Sequence, residues 1–465
     1  MIKNNLKICY IGGGSRNWAW VFMQDLAFEK EIQGVIELYD LNYNDAKTNE
    51  IIGNNLMKKF NNGVWKFHAN DSLSGALKDC DFVFISILPG DFEEMAVDVH
   101  APEKYGIYQS VGDSTGAGGI IRSLRTIPQF RQIAREIKEN APNAWVINYT
   151  NPMSVCTQTL YKEFPKIKAF GCCHEVFHTQ KLLVSMLEDF NLAKTDSVKR
   201  EEIKVNVIGI NHFTWIDKAY WKDVDLFPVY KSFTEKYADT GFIKPEEKKE
   251  FSADEKERRK LFGSTDRVKM DLFRRYGLIA AAGDRHLAEF CPPSWYLSSQ
   301  KAAESWGFAL TPVLWRIKDR ETLKIKAKAY RDGIESLNPG ESGEEGIKII
   351  KALAGLQDIT TNVNLPNTGQ IPGLPLGVVV ETNAVFGSDN IKTVTTEGLP
   401  CDINALVTHH ALMYEGIIEA VFENDMEKAF RVFSHDYAVQ KLSLSDARSL
   451  FNEMKDLTLN LTLKK

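Results

Sequence analysis

The sequence predicts an α/β fold: a Rossmann-like, doubly wound parallel sheet joined to a second, mixed α+β part that is largely helical. Three observations carry this. The chain opens on a strand, a glycine turn, a helix, a second strand and an acid, all within forty residues. From there to about residue 200, continuous apolar runs alternate with helical segments, as in a parallel sheet covered on both faces. From residue 401 onward the pattern is helical throughout.

The first element, Leu6 to Ile11, is a short buried strand. It runs into Gly12, Gly13, Gly14 and Ser15, then into a helix from about Trp18 to Phe28. A second apolar run, Val35 to Tyr39, ends in Asp40. This order suits a dinucleotide. Glycines let the backbone approach the pyrophosphate, and the helix N-terminus offers it free N–H groups. Asp40 is positioned to accept hydrogen bonds from the adenosine ribose, and its charge disfavours a 2′-phosphate, which favours NAD over NADP. The third glycine of the G-x-G-x-x-G pattern falls at Asn17, so the weight rests on the strand–turn–helix context. The same context fits an ordinary tight turn of another α/β protein.

Three later runs end in polar clusters. Phe82 to Leu88, which includes Ser86, stops at Pro89-Gly90; Ala144 to Asn148 stops at Tyr149-Thr150-Asn151-Pro152; Ile167 to Gly171 stops at Cys172-Cys173-His174. Ligands of open α/β sheets bind beyond the carboxyl ends of the strands, so these clusters should share one crevice. Ser86 and Asn148 are assigned there to the cofactor. Val205 to Trp215 reads as one more strand, carrying His212. Trp221 to Arg275 is charged and mostly helical; within it, Lys244 to Lys260 is a charge run, a solvated helix or an insertion. Residues 262–290 read as a helix followed by a loop with Asp284-Arg285-His286, and 340–357 as a helix. Leu365 to Ala384 is punctuated by Pro and Gly around a short strand, Val378 to Glu381. The division expected is a cofactor-binding domain over 1–200 and a substrate-binding, metal-completing and oligomerisation domain over 201–465.

A chain of 465 residues exceeds one ordinary core. Its 44% hydrophobic content is that of a globular protein. A net charge of −5, with both signs interspersed, shows no nucleic-acid footprint and no polybasic membrane patch. No apolar run reaches the length of a membrane span. The first strand begins too early to leave room for a signal peptide. Seven cysteines scattered along such a chain argue for free thiols in a reducing cytoplasm.

Cys173-His174 at one strand end and His212 on the next strand form the second constellation. A thiolate and an imidazole there are able to hold one divalent ion and leave positions open for substrate. Both residue types also pack as ordinary core residues. The Asn151 amide suits sugar hydroxyls, or a turn. Gly112 to Gly119 is a second glycine-rich loop that leads into a helix with Arg122 and Arg125, two candidates for an anion. Arg285 offers a fork that would grip a carboxylate, or pair at the surface.

Taken together, these motifs resemble glycoside hydrolase family four, the NAD- and manganese-dependent glycosidases. The resemblance rests on Ile11 to Ser15, Gly112-Asp113-Ser114, Ile147 to Pro152, Cys173-His174-Glu175-Val176, Gly209 to His212 and Asp284 to Glu289. Cys-His-Glu-Val resembles the α-galacturonidase subgroup, where phospho-glycosidase members carry Cys-Asp-Met-Pro. The family departs from the two-carboxylate scheme of other glycosidases. The resemblance implies oxidation at C3 by NAD, loss of the C2 proton, elimination of the aglycone from C1, addition of water and re-reduction. It implies Mn²⁺ on Cys173 and His212, His174 as the acid for the leaving group, and Asn151 against the sugar. A tyrosine serves as C2 base in several members, and Tyr276 is the candidate, with Asp271 an alternative. Arg285 is the expected partner of a uronate carboxylate, with Arg122 or Arg125 behind it. The expected function is hydrolysis of small α-galacturonides from pectin, in a cytoplasmic homodimer or tetramer. An α-galactosidase or α-glucosidase of the same family, an NAD-dependent hydroxy-acid dehydrogenase and a non-catalytic NAD-binding module are the alternatives.

Overall fold

A computed structural model of the chain describes residues 4–61, 63–244, 253–340 and 342–462. Six strands form a parallel sheet: β1 (Asn5–Ile11), β2 (Gln33–Tyr39), β3 (Trp65–Asn70), β4 (Phe82–Ile85), β5 (Trp145–Asn148) and β6 (Lys168–Gly171). Their order in space is β3-β2-β1-β4-β5-β6. The direction of winding reverses between β1 and β4, which opens a crevice beyond their carboxyl ends.

The sheet does not stop there. β7 (Ile203–Ile210), β8 (Phe213–Trp221), β9 (Val224–Asp225), β10 (Ile279–Ala280), β11 (Ile359–Pro366), β12 (Val379–Gly387) and β13 (Asn390–Thr393) extend it. β11 joins β6 through Asn364 opposite Gly171, and the order continues β12-β7-β8-β10. These added pairings are antiparallel. One sheet thus crosses the expected boundary at residue 200.

Several sequence expectations change here. Val205 to Trp215 is not one strand but a hairpin, β7 and β8, that turns at Asn211-His212. Gly209, at φ +139°, permits the turn: a Cβ there would lie 2.6 Å from the Phe213 carbonyl oxygen. The Asn211–His212 peptide is cis. Asp284-Arg285-His286 opens a helix, Asp284–Phe290, because the buried Asp284 carboxylate binds the N–H groups of Val268 and Lys269 and holds the segment in the core. The helix expected over 340–357 is shorter, Gly346–Leu353, and the strand at Val378 runs on to Gly387. Of the charge run, 256–260 lies on the exposed helix Ala253–Phe262, and 245–252 lies outside the described residues. The helix expected from Trp18 to Phe28 forms with those bounds.

The sheet is covered on both faces, as its apolar strands require. One cluster around Leu6, Ile36 and Phe67 packs the glycine-loop side, and another, around Cys9, Val83 and Phe130, packs the opposite side. The largest joins the helices Gly116–Asn140 and Cys401–Glu423 to Phe213, Trp215 and Phe290. Among the described residues no helix is long and apolar enough to cross a membrane.

Candidate active site

The crevice begins at the glycine turn. The N–H groups of Gly12 and Gly13 both donate to the Tyr39 carbonyl at 2.9 Å. Gly12 sits at φ +94°, and a Cβ there would lie 2.0 Å from the Ser86 carbonyl oxygen. Only glycine fits this approach of β1 to β4. Asp40 caps the turn: one carboxylate oxygen accepts from Gly14 N–H and the other from Asn42 N–H, each at 2.9 Å. Burial raises the Asp40 pKa above its ordinary value against those two bonds. Asn49 ties the turn from behind, donating to the carbonyls of Gly13 (2.8 Å) and Ser15 (2.9 Å). The cradle and the helix N-terminus at Trp18 fit a dinucleotide pyrophosphate. Ser86 lies in this cradle through its backbone. The Asn148 side chain is bonded to Thr150, accepting from its N–H at 2.9 Å and donating to its carbonyl at 3.1 Å.

Deeper in, three segments converge. Glu289 accepts the N–H groups of Val111 (2.7 Å) and Gly112 (2.8 Å), which fastens the helix Asp284–Phe290 to the second glycine-rich loop. Asp113 and His286 therefore meet His212 from the β7–β8 turn, and one ligand atom from each lies within 4.8 Å of the others. The His212 and His286 rings are 3.9 Å apart, and Ser114 Oγ is 3.0 Å from His212 Nδ1. Ser114 also donates to Asp113 at 2.7 Å. Burial, then the neighbouring His286, pushes the His212 imidazole down to about 3, so its ring is neutral and one ring nitrogen keeps a lone pair. Burial opposes ionisation of Asp113, but His286, Arg122 and His212 outweigh it and hold the carboxyl at about 2.

A second group adjoins this one. His174, Glu175 and His178 also bring ligand atoms within 4.8 Å of one another. Glu175 accepts from Gly283 N–H at 2.6 Å, and its carboxyl is held well below the usual range because surrounding histidines, His286 foremost, override its burial. His174 packs between Trp18 (tilted, 5.7 Å) and His178 (edge-on, 5.0 Å), with Nδ1 3.3 Å from Glu344 Oε1. Burial lowers its pKa, yet Glu344 and Glu175 carry it above the ordinary histidine value.

Cys173 is buried behind the turn, and its thiol is not among the atoms that meet at His212. Burial, then Glu381, raises its pKa well above the ordinary value. Glu381 links this layer: it accepts from Asn211 (3.2 Å) and from Asn362 (2.7 Å), and Asn362 also donates to the Cys173 carbonyl.

The substrate candidates divide. Asn151 donates to Asp113 at 3.2 Å, and its carbonyl accepts from Arg122 Nε at 3.2 Å. Asn151 Oδ1, Arg122 Nη1, Asn211 Oδ1 and His286 Nδ1 are buried without partners. Such orphans cluster where a polar ligand belongs. With a carboxylate and two imidazoles beside them, they fit a divalent ion and sugar hydroxyls. Arg125 is committed elsewhere, in a buried pair with Asp98 and a bond to the Pro89 carbonyl. Asp271 is bonded to Tyr296 (2.6 Å) and paired with Arg275 (2.7 Å), and Tyr276 packs edge-on against Trp215 at 5.8 Å. None of those partners belongs to the two clusters. Sequence reasoning met Asp113, Glu175 and His286 only inside motifs; their signal was a polar residue just past a strand end or glycine loop.

Comparison with known proteins agrees with this architecture. The description "Family 4 glycosyl hydrolase" matches residues 7–189, and its C-terminal domain matches 207–439. An alpha-galacturonidase of Thermoanaerobacter italicus is 53% identical over 97% of this chain and 96% of its own. One from Bacillus subtilis is 46% identical over 97% of each. The solved structure of the Bacillus subtilis protein lplD superposes with a TM-score of 0.90 at 45% identity, covering 97% of this chain and 99% of that one. A Thermotoga maritima 6-phospho-beta glucosidase, solved with manganese, NAD⁺ and glucose-6-phosphate, shares the fold at a TM-score of 0.75 and 19% identity over 98% of each chain. With the matches spanning nearly its whole length, the chain belongs to family 4 of the glycosyl hydrolases.

Proposed function

We propose that the chain is an α-galacturonidase that uses NAD⁺ and a divalent ion. The observation that carries the substrate is the full-length similarity, at 46% to 53% identity, to four relatives that are named alpha-galacturonidase. In this reading residues 1–200 hold the cofactor and 201–465 complete the metal and substrate site. Gly12, Gly13, Gly14 and Ser15 cradle the dinucleotide, Ser86 and Asn148 border it, and Asp40 selects the unphosphorylated ribose. His212 and Asp113 hold the ion, with His286 beside them and Cys173 behind the Asn211–His212 turn. When bound, NAD⁺ supplies a hydride acceptor and the ion supplies a Lewis acid next to the sugar hydroxyls.

The chain's own residues do the rest. Asn151 orients the sugar through its free Oδ1, while Asp113 holds its amide. His174 carries a proton to the leaving oxygen; the two acids at its ring, Glu344 and Glu175, favour its protonated form. Glu175 accepts from the Gly283 N–H and holds the start of the Asp284–Phe290 helix near the site. Tyr276 and Asp271 remain the candidates for the C2 base, and both would have to leave their present partners to reach the sugar. A homo-oligomer is supported by the exposed Leu314 and Ile325 on the helix Val313–Arg331.

The test is turnover of an α-galacturonide by pure protein with NAD⁺, Mn²⁺ and a thiol reductant. Free galacturonate should appear without accumulation of NADH at 340 nm. Activity confined to a neutral α-galactoside overturns the substrate, and NADH equal to product makes the chain a dehydrogenase.

A further inference from the structure

We propose that Arg316, together with Arg285, forms a carboxylate-reading pair that selects a uronic acid at C6; this rests on the galacturonidase reading above. Both guanidiniums pack against the one ring of Phe262, Arg285 at 5.2 Å and Arg316 at 4.9 Å from its centroid. The three residues come from separate segments: Phe262 ends the exposed helix, Arg285 opens the Asp284–Phe290 helix, and Arg316 lies in the first turn of Val313–Arg331.

The pair lacks an anion. Among the described residues neither guanidinium forms an ion pair with a carboxylate. Arg285 donates to neutral oxygens alone: the carbonyls of Ala309 (3.1 Å) and Ser110 (2.6 Å) and the Thr311 hydroxyl (2.7 Å). Arg316 Nε is buried without any partner. Two like charges against a single ring, one with an orphaned donor, form an arrangement that a planar carboxylate relieves, since it accepts from guanidinium forks. Burial, then the charge of Arg316, brings Arg285 down to about 10, and burial also lowers Arg316.

The pair also borders the chemistry. Arg285 precedes His286, whose ring lies 3.9 Å from that of His212. The charges of Asp113 and Arg122 are both felt at Arg316. Arg122 is nearer the sugar hydroxyl partner Asn151, to which it is bonded, so it is the poorer reader of C6. A hydroxymethyl group at C6 would leave both cations without an ion-pair partner, whereas a carboxylate would supply one.

The experiment compares kcat/KM on an α-galacturonide with that on its methyl ester, which keeps the shape and loses the charge. Arg316→Gln should cost the acid about 100-fold, chiefly in KM, and cost the ester far less. Arg316→Lys, which keeps a charge but loses the fork, should lose about tenfold on the acid, again selectively. Equal losses on both substrates, or no loss on the acid, overturn the pair's role. Should Arg316→Gln fail to fold, the lysine variant decides by the same ratio. A wild type inactive on the acid but active on a neutral galactoside overturns the galacturonidase reading itself and the pair with it.

Discussion

The two ends of the crevice are finished differently. At the glycine turn the protein satisfies itself: Tyr39 takes two N–H groups, Asp40 takes two more, and Asn49 closes the turn from behind. At the Asp113–His212–His286 centre it does not: Asn151 Oδ1, Arg122 Nη1, Asn211 Oδ1 and His286 Nδ1 are buried and unpaired. The first region is a scaffold that presents backbone and shape. The second is a set of groups that only a ligand completes. Unpaired buried polar atoms cost about 1–3 kcal/mol each, so they persist where binding repays them.

Removing a group from the open centre should cost the most. His212→Ala and Asp113→Asn should each weaken metal binding by more than about 100-fold and abolish turnover at ordinary metal concentrations. Equilibrium dialysis checks the first and galacturonide turnover the second. Unchanged metal affinity in both would erase the contrast between the two ends.

Damage at the finished end should appear as stability and cofactor affinity together. Gly12→Ala places a methyl group against the Ser86 carbonyl at a positive φ, at a cost of about 2–3 kcal/mol. Thermal melting and NAD⁺ titration by tryptophan fluorescence should fall together, with metal affinity retained. An unaltered melting curve would contradict the close approach of β1 to β4.

The layer beneath the centre gives a pH signature. Burial pushes the Glu381 carboxyl up to about 7, against hydrogen bonds from Asn211 and Asn362. Its neutral form is preferred in the fold, so its contribution is complete below its unfolded pKa of about 4.5 and is lost as pH rises through 7. Glu381→Gln should remove that dependence from the metal-free enzyme and stabilise it at pH 8 by at most about 3 kcal/mol. Denaturant unfolding at pH 5 and pH 8 measures this, and a wild type with equal stability at both would refute it.

The smallest effect belongs to the rim of the turn. Arg16 and Asp45 are paired there, both half-buried, and Arg16→Ala should change stability by about 1 kcal/mol.

Legibility in the sequence follows the same contrast. The glycine turn was readable because strand, turn, helix and Asp40 are neighbours in the chain, and their geometry is fixed by local sterics. The helix from Trp18 to Phe28 and the runs behind β4, β5 and β6 were readable for the same reason. The β7–β8 hairpin was not, because an apolar run hides a turn that only Gly209 and its partner strand reveal. Nor was the company of His212. Asp113 and His286 reach it through Glu289, whose bonds span 178 and 177 residues of chain. Arg125 looked as available as Arg122 until Asp98 was seen to hold it. Spacing cannot register such long-range pairings, since nothing in the local pattern marks which polar residue already has a partner.

The most direct measurement is a titration of metal-stripped protein with Co²⁺, followed by its visible absorption. The account predicts a single ion per chain, with a spectrum lost in both His212→Ala and Asp113→Asn and kept in Arg16→Ala. The same spectrum and stoichiometry in all three variants would contradict it.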